Sequence, residues 1–141
     1  MAQIDEVLLA AYTATDFVVF DADGPWVLHV GKAAPQIDEL LARHGCRSAT
    51  IVTALNPRSK VLGPAENAAR HAKLKRILAT KGCDFVEGEG RDPTGAWVAE
   101  TECVIFGTTL AQGLDLARSF EQNAIVFLET GKAPRLEFPK G

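Results

Sequence analysis

Apolar and polar positions along the chain separate into stretches of helical period and stretches of strand character. Ile4, Val7, Leu8 and Ala11 recur at helical spacing, Leu9 and Tyr12 widen the stripe, and together they predict a short amphipathic helix. Phe17 to Phe20 and Trp26 to Val30 are apolar runs separated by Asp21-Ala22-Asp23-Gly24-Pro25, residues that favour turn geometry, and they predict a β-hairpin. After Gly31, Pro35 suits a first helical turn, Ile37, Leu40 and Leu41 share one face, and Gly45 is a stop, which gives a second helix. A β-branched run from Ala49 to Leu55 ends at Asn56-Pro57 and leads into a helix from Pro64 to about Lys81, closed by Gly82. Cys83 to Glu87 predicts a strand and Trp97 to Phe106 another, with the glycine-rich stretch from Glu87 to Gly95 as the connection of a hairpin. Thr109 suits the cap of a helix bearing Leu110, Leu114, Ala117 and Phe120. Ala124 to Glu129 then returns as an apolar strand, and Arg135 to Phe138 follows the turn at Gly131 as a last one.

From Ala49 to Glu129 the order is β-α-β-β-α-β, that of the ferredoxin-like split unit. The expected fold class is therefore α+β: a ferredoxin-like βαββαβ core over about residues 49–129, with an N-terminal helix, β-hairpin and helix as an extension and a C-terminal strand. The right-handed crossover rule makes the first two core strands parallel, with the third antiparallel between them and the fourth beside the first. Helices on both faces account for a strand as apolar throughout as Ala124 to Leu128. A chain of 141 residues is the usual size of one domain, and one domain is expected.

Composition narrows the classes of function. The hydrophobic fraction is 47% and the charged fraction 23%, the balance of a globular protein. With a net charge of −3 and both signs interspersed, no basic stripe is available to neutralise a nucleic-acid backbone, so nucleic acid is not the expected partner. No run approaches the roughly 20 apolar residues that span a bilayer, and nothing near the start pairs a basic region with an apolar one. The expectation is a cytoplasmic protein without a membrane partner. Cys46, Cys83 and Cys103 are odd in number and lack C-x-x-C spacing, as reduced and mostly buried thiols would be.

There is no P-loop, no G-x-G-x-x-G, no H-E-x-x-H and no nucleophile elbow. The topology nevertheless gathers scattered polar residues on one edge of the sheet: Asn56, Pro57, Arg58 and Ser59 leaving the first core strand, Glu66 and Asn67 starting its helix, the Glu87–Gly95 connection with Arg91, and Gln122 and Asn123 after the last helix. Trp97 and Glu100 enter at the same edge. Strand parity puts Val98, Glu100, Glu102, Val104 and Phe106 in one row. Glu100 and Glu102, about 7 Å apart along it, form a candidate carboxylate pair able to bind Mg²⁺ or to raise one pKa. Each residue also has an ordinary structural reading: Asn56-Pro57 as a strand-ending turn, Glu66 as a charge suited to a helix N-terminus, the two glutamates as a solvent-facing edge, Trp97 as a packing anchor. His29, His44 and His71 read more simply as structural than as chemical residues.

These blocks are also familiar as a set. Thr53-Ala54-Leu55-Asn56-Pro57-Arg58-Ser59, Pro64-Ala65-Glu66-Asn67, Gly88-Glu89-Gly90-Arg91-Asp92, Trp97 through Glu100, and Phe120-Glu121-Gln122-Asn123-Ala124 resemble a bacterial family known as domain of unknown function 3293. The resemblance runs from about Tyr12 to Leu136 and departs at Thr101, where Ser is expected, and at Glu121, where Gly is expected. It implies no activity, substrate or cofactor.

Three functions compete on this reading. The first is a module binding a small anionic or nucleotide-like ligand through Asn56, Arg58, Ser59, Asn67, Arg91, Trp97, Glu100 and Gln122, aided by the N–H groups of the helix start near Pro64. The second is a Mg-dependent hydrolase or transferase with Glu87, Glu100 and Glu102 on the metal and His71 or a glutamate moving a proton. The third is an interaction or assembly module, a homo-oligomer paired through the terminal strand Arg135 to Phe138.

Overall fold

The computed structural model describes residues 6–140, and the hydrophobic pattern resolves there into helices α1 Glu6–Ala14, α2 Pro35–Arg43, α3 Pro64–Thr80 and α4 Leu110–Ser119. The strands are β1 Asp16–Val19, β2 Trp26–Leu28, β3 Ser48–Val52, β4 Asp84–Arg91, β5 Glu100–Phe106, β6 Ile125–Glu129 and β7 Arg135–Glu137, with a 3-10 turn at Pro57–Ser59. Ile4, at the start of the expected first helix, lies outside the described residues. The chain is an α+β protein whose strands form one seven-stranded sheet in the order β2-β1-β4-β5-β3-β6-β7, every neighbouring pair antiparallel. No helix among the described residues is long and apolar enough to cross a membrane.

Both faces of the sheet are covered. On one, Ile37, Leu40 and Leu41 of α2 pack against Phe17, Val19, Ala49, Ile51, Val104, Phe106, Val126 and Leu128. On the other, Leu74 and Leu78 of α3 and Ala117 of α4 meet Val52, Cys103, Ile105 and Ile125, with Phe120 just past α4. α4 begins at a capping box, the Thr109 hydroxyl accepting from the Gln112 N–H and the Gln112 side chain accepting from the Thr109 N–H. It lies close on the sheet because Gly113 has no side chain, and a Cβ there would stand 2.5 Å from Thr50 Oγ1. Of the three thiols, Cys103 is buried, Cys46 and Cys83 are half-buried, and none is in a disulfide.

Several boundaries differ from expectation, β2 ending at Leu28 and β3 at Val52, and two differences bear on the site. The expected glycine-rich connection from Glu87 is instead the second half of β4, whose residues 88–91 pair with β1 on one side and, through Gly90, with β5 on the other. Gly88 is a strand residue for a packing reason, since a Cβ at that position would approach the Val18 carbonyl oxygen to 2.5 Å. The true connection is 92–99, pinned by Asp92, which accepts from the Thr94 N–H at 2.9 Å and the Ala96 N–H at 2.8 Å. Trp97, expected to open the next strand, lies in this connection, and β5 begins at Glu100.

At the opposite end of the sheet from that connection, the His44 ring stacks on Phe106 with centroids 3.6 Å apart and bonds Asp21 Oδ2 at 2.6 Å and Asp84 Oδ2 at 2.8 Å. It ties the β1–β2 turn, the end of α2 and the start of β4 together. Burial pushes the His44 pKa down, but the bonds to Asp21 and Asp84 outweigh it and the net shift is upward from 6.5. Burial likewise pushes Asp21 up, and its bond to His44 outweighs that, leaving it below 3.8. A raised histidine stabilises the fold below its unfolded pKa and loses that contribution as pH rises through the folded one, whereas a depressed carboxylate loses its contribution as pH falls. The melting temperature of the wild type should therefore exceed that of His44→Gln most between about pH 4 and 6.5. The gap should shrink on either side, and a gap that is flat from pH 3 to 9 in calorimetric scans would remove the assignment.

Candidate functional site

Alternate residues of β5 share one face of the sheet. Phe106 and Val104 end in the α2 core, and Glu102 and Glu100 continue the same row into a cavity of about 440 Å³. α1 forms one wall with Leu8, Ala11 and Tyr12, and Phe17, Ile51 and Val126 carry the core into the cavity lining. Val61, Trp97 and Val98 line it from the outside, 83%, 37% and 87% exposed. The polar lining is Thr15, Thr53, Asn56, Ser59, Glu100, Glu102 and Gln122, and no Lys, Arg or His is among the described lining residues.

The loop after β3 is held to this cavity by two asparagines. Asn56 is in the left-handed region at φ 49°, a conformation that asparagine tolerates better than most residues. Its Nδ2 donates to Glu100 Oε2 at 2.6 Å, and its Oδ1 accepts from the Leu62 N–H at 3.0 Å and from Asn67 Nδ2 at 2.9 Å. Asn67 Oδ1 accepts the Asn56 N–H in return, at 3.1 Å. Arg58 and Ser59 are also left-handed, φ 52° and 62°, at a cost on the order of 1–2 kcal/mol each, and the Arg58 N–H bond to the Glu121 carbonyl at 2.7 Å helps hold them. From α3, Arg70 donates to the Ala54 and Phe120 carbonyls at 2.5 and 2.6 Å. Gln122 Nε2 donates to Leu55 O at 2.8 Å, and Asn123 Nδ2 to Ser59 Oγ at 2.8 Å. The exits of β3 and α4 are thus stitched into one polar frame.

Inside the frame both carboxyl groups hold their protons more tightly than in solution. Burial, then the nearby charges of Glu100 and Glu89, push Glu102 up to about 8. Burial raises Glu100 as well, against the opposing Asn56 bond. Tyr12 is raised to about 12, by burial first and then by the charges of Glu100 and Glu102. At neutral pH Glu102 is therefore a neutral carboxylic acid in a largely apolar cavity, and among the described residues no hydrogen bond reaches its carboxyl group.

A sequence model of the family described as Protein of unknown function (DUF3293) matches residues 52–125. The chain belongs to that family. No curated protein and no solved structure gives a significant match. The DUF3293 segment includes Asn56, Asn67, Glu100, Glu102 and Gln122, while the α1 and β1 walls of the cavity precede it.

Of the residues expected at one site, Asn56, Ser59, Trp97, Glu100, Glu102 and Gln122 line the cavity of this DUF3293 protein, and Asn67 stands behind Asn56. Three do not join them. Arg58 is exposed in the 3-10 turn outside the lining. Arg91 bonds Glu89 at 2.7 Å with its guanidinium 5.8 Å from the Phe20 ring centroid. Glu87 is on the opposite face of the sheet, because it pairs with Cys103 rather than with Glu102, and there it meets His71 at 2.7 Å and Lys75 at 3.2 Å. The expected Mg²⁺ set of Glu87, Glu100 and Glu102 is divided by the sheet, and no group of three or more His, Cys, Asp or Glu able to hold a metal occurs among the described residues. The α3 start near Pro64 is also outside the lining. Two residues of the site are not among those expected from sequence: Tyr12, which belongs to the apolar stripe of α1, and Arg70. The signal for Tyr12 was available in Val7 to Ala14, which has no charged residue and one aromatic hydroxyl.

Two outcomes follow from this geometry. Asn67→Ala leaves the Asn56 N–H without its acceptor and should lower unfolding stability by about 1–3 kcal/mol in denaturant titration; a loss below about 0.5 kcal/mol would show that the pair does not hold the loop. Glu102 is bound to its proton more tightly folded than unfolded, so the native state loses stability as pH rises from 4.5 toward 8. Glu102→Gln should therefore raise the melting temperature over wild type at pH 8 and change it little at pH 4. An equal change at both pH values would contradict the burial of the carboxyl group.

Proposed function

We propose that this protein is a small-molecule-binding module whose ligand occupies the cavity between α1 and β5. The observation that carries the reading is the convergence of Asn56, Ser59, Glu100, Glu102 and Gln122, from three separate parts of the chain, on one cavity of about 440 Å³ with mostly apolar walls. Ligand sites have this constitution: concave, apolar, and fixed by a few placed polar groups. An anionic or nucleotide-like ligand was the expectation from sequence. The cationic groups invoked for it lie elsewhere, so the reading narrows to a ligand that has an apolar body and brings hydrogen-bond donors to the carboxyl groups. The order β6-β3-β5-β4, with α3 and α4 on one face, supports describing the scaffold as a ferredoxin-like plait extended by the β1–β2 hairpin and β7. A bacterial, cytoplasmic binding protein is consistent with this.

The test is a fragment screen by methyl NMR on the full chain. Fragments that bind should shift the methyl resonances of Ile51, Val126 and Leu136 and leave that of Leu74, in the other core, unmoved. They should also raise the melting temperature with concentration, as any ligand of the native state does. A library of several hundred fragments with no binder at the cavity methyls, on folded protein, would overturn the proposal.

A further inference from the structure

Among the described residues the cavity lining is acidic and aromatic with nothing basic in it. We infer that the cavity selects a protonated amine with an aromatic or aliphatic body, its ammonium group seated between the carboxyl groups of Glu100 and Glu102 and its body against Tyr12, Phe17 and Trp97. The inference rests on the cavity being the ligand site, as proposed above, and adds the charge class of the ligand.

Glu102 is the decisive residue. It is 6% exposed, it lines the cavity, and no described residue gives it a hydrogen bond. Its carboxyl group opens onto the cavity, so a donor on a bound molecule can supply the hydrogen bond that no described residue gives it. Space for that group is kept by Gly90 of β4, where any Cβ would collide with Glu102 Oε1. Beside it Glu100 presents Oε1, its Oε2 being occupied by Asn56. An anion here would face two acidic groups with no cation to offset them. A neutral apolar molecule would leave Glu102 unpartnered. An ammonium group supplies donors to both carboxyl groups, and the aromatic lining offers π faces that attract a cation.

Among the described residues, the charged and titratable groups facing Glu102 are Glu100 on its own strand, Glu89 on β4 and Tyr12 on α1, with the uncharged Thr15 and Thr53 also in the lining. All three titratable neighbours oppose a negative charge on Glu102. Amine binding therefore exchanges one proton: the O–H bond of the Glu102 carboxylic acid breaks, its proton leaves to water, and the ammonium group replaces it as the counter-charge. With the free carboxyl group titrating near 8, affinity for an ammonium ion should rise about tenfold per pH unit below that value and level off above it, until the amine itself deprotonates at about 10.

The experiment is calorimetric and NMR titration of the full chain with three probes of one shape: phenethylamine, 2-phenylethanol and 3-phenylpropionate. The amine should bind at least tenfold more tightly than either of the others at pH 8, release close to one proton at pH 7 as read from buffers of different ionisation enthalpy, and weaken at least tenfold between pH 8 and pH 6. Glu102→Gln, which the burial of the carboxyl group predicts to fold stably, should bind the amine at least tenfold more weakly and lose the pH dependence. Glu100→Gln should weaken binding and keep it. If the alcohol or the acid binds the cavity methyls as well as the amine does, the charge class is wrong while the ligand site stands. If none of the three perturbs those methyls and the fragment screen is also empty, the site itself is wrong. Unchanged amine affinity in Glu102→Gln overturns the role of that residue and the inference with it.

Discussion

A strand cannot redirect one side chain without redirecting its alternates, and β5 turns this rule into a site. Phe106 and Val104 must face the α2 core, so Glu102 and Glu100, on the same parity, must follow them onto that face. Neither glutamate can swing to solvent on the far side, where Cys103 and Ile105 fill the second core. The apolar face therefore has to provide a space for two carboxyl groups. It does so with the cavity under α1 and with a glycine at position 90, and the rest of the polar frame is built around that necessity.

The frame is cross-linked rather than merely adjacent. Asn56 fixes Glu100, Asn67 fixes Asn56, and Arg70 and Gln122 draw the ends of β3 and α4 together through their carbonyls. The bonds among Asn56, Asn67, Arg70 and Gln122 hold the loop after β3 and the end of α4 rigidly against each other. Glu102 differs from the rest in having no hydrogen bond from a described residue, and its burial, like that of Glu100 but more strongly, lowers stability above its unfolded pKa. The bonded neighbours hold the unbonded acid in position, an arrangement in which stability is given up at a site and recovered around it.

Much of this was legible in the residues. Helix periods, the Thr109 cap and the turn residues indicated the type of each helix and strand, and the expected order of elements put Asn56, Glu100 and Gln122, which line one cavity, on one edge. Parity along β5 put Glu100 and Glu102 side by side. What failed did so for definable reasons. Glycines at 88 and 90 look like loop residues until the close approach of β1 and of the Glu102 carboxyl group is known. That misreading shortened β4 and hid its own parity, which sends Glu87 to the wrong face for a shared metal site. Arg58 and Arg91 carried the right charge for an anion and the right position in sequence, but side-chain direction decides a lining, and it is not written in position alone.

The weakest boundary of the cavity is also its most adjustable one. α1 has no fully buried residue, so little packing energy resists a small outward shift of that helix, whereas the β5 side is locked into two cores. On the proposed reading of the cavity, girth would be a soft criterion and headgroup chemistry a hard one: compounds differing in bulk but alike at one polar end would be admitted together, and members of one size series would be told apart poorly.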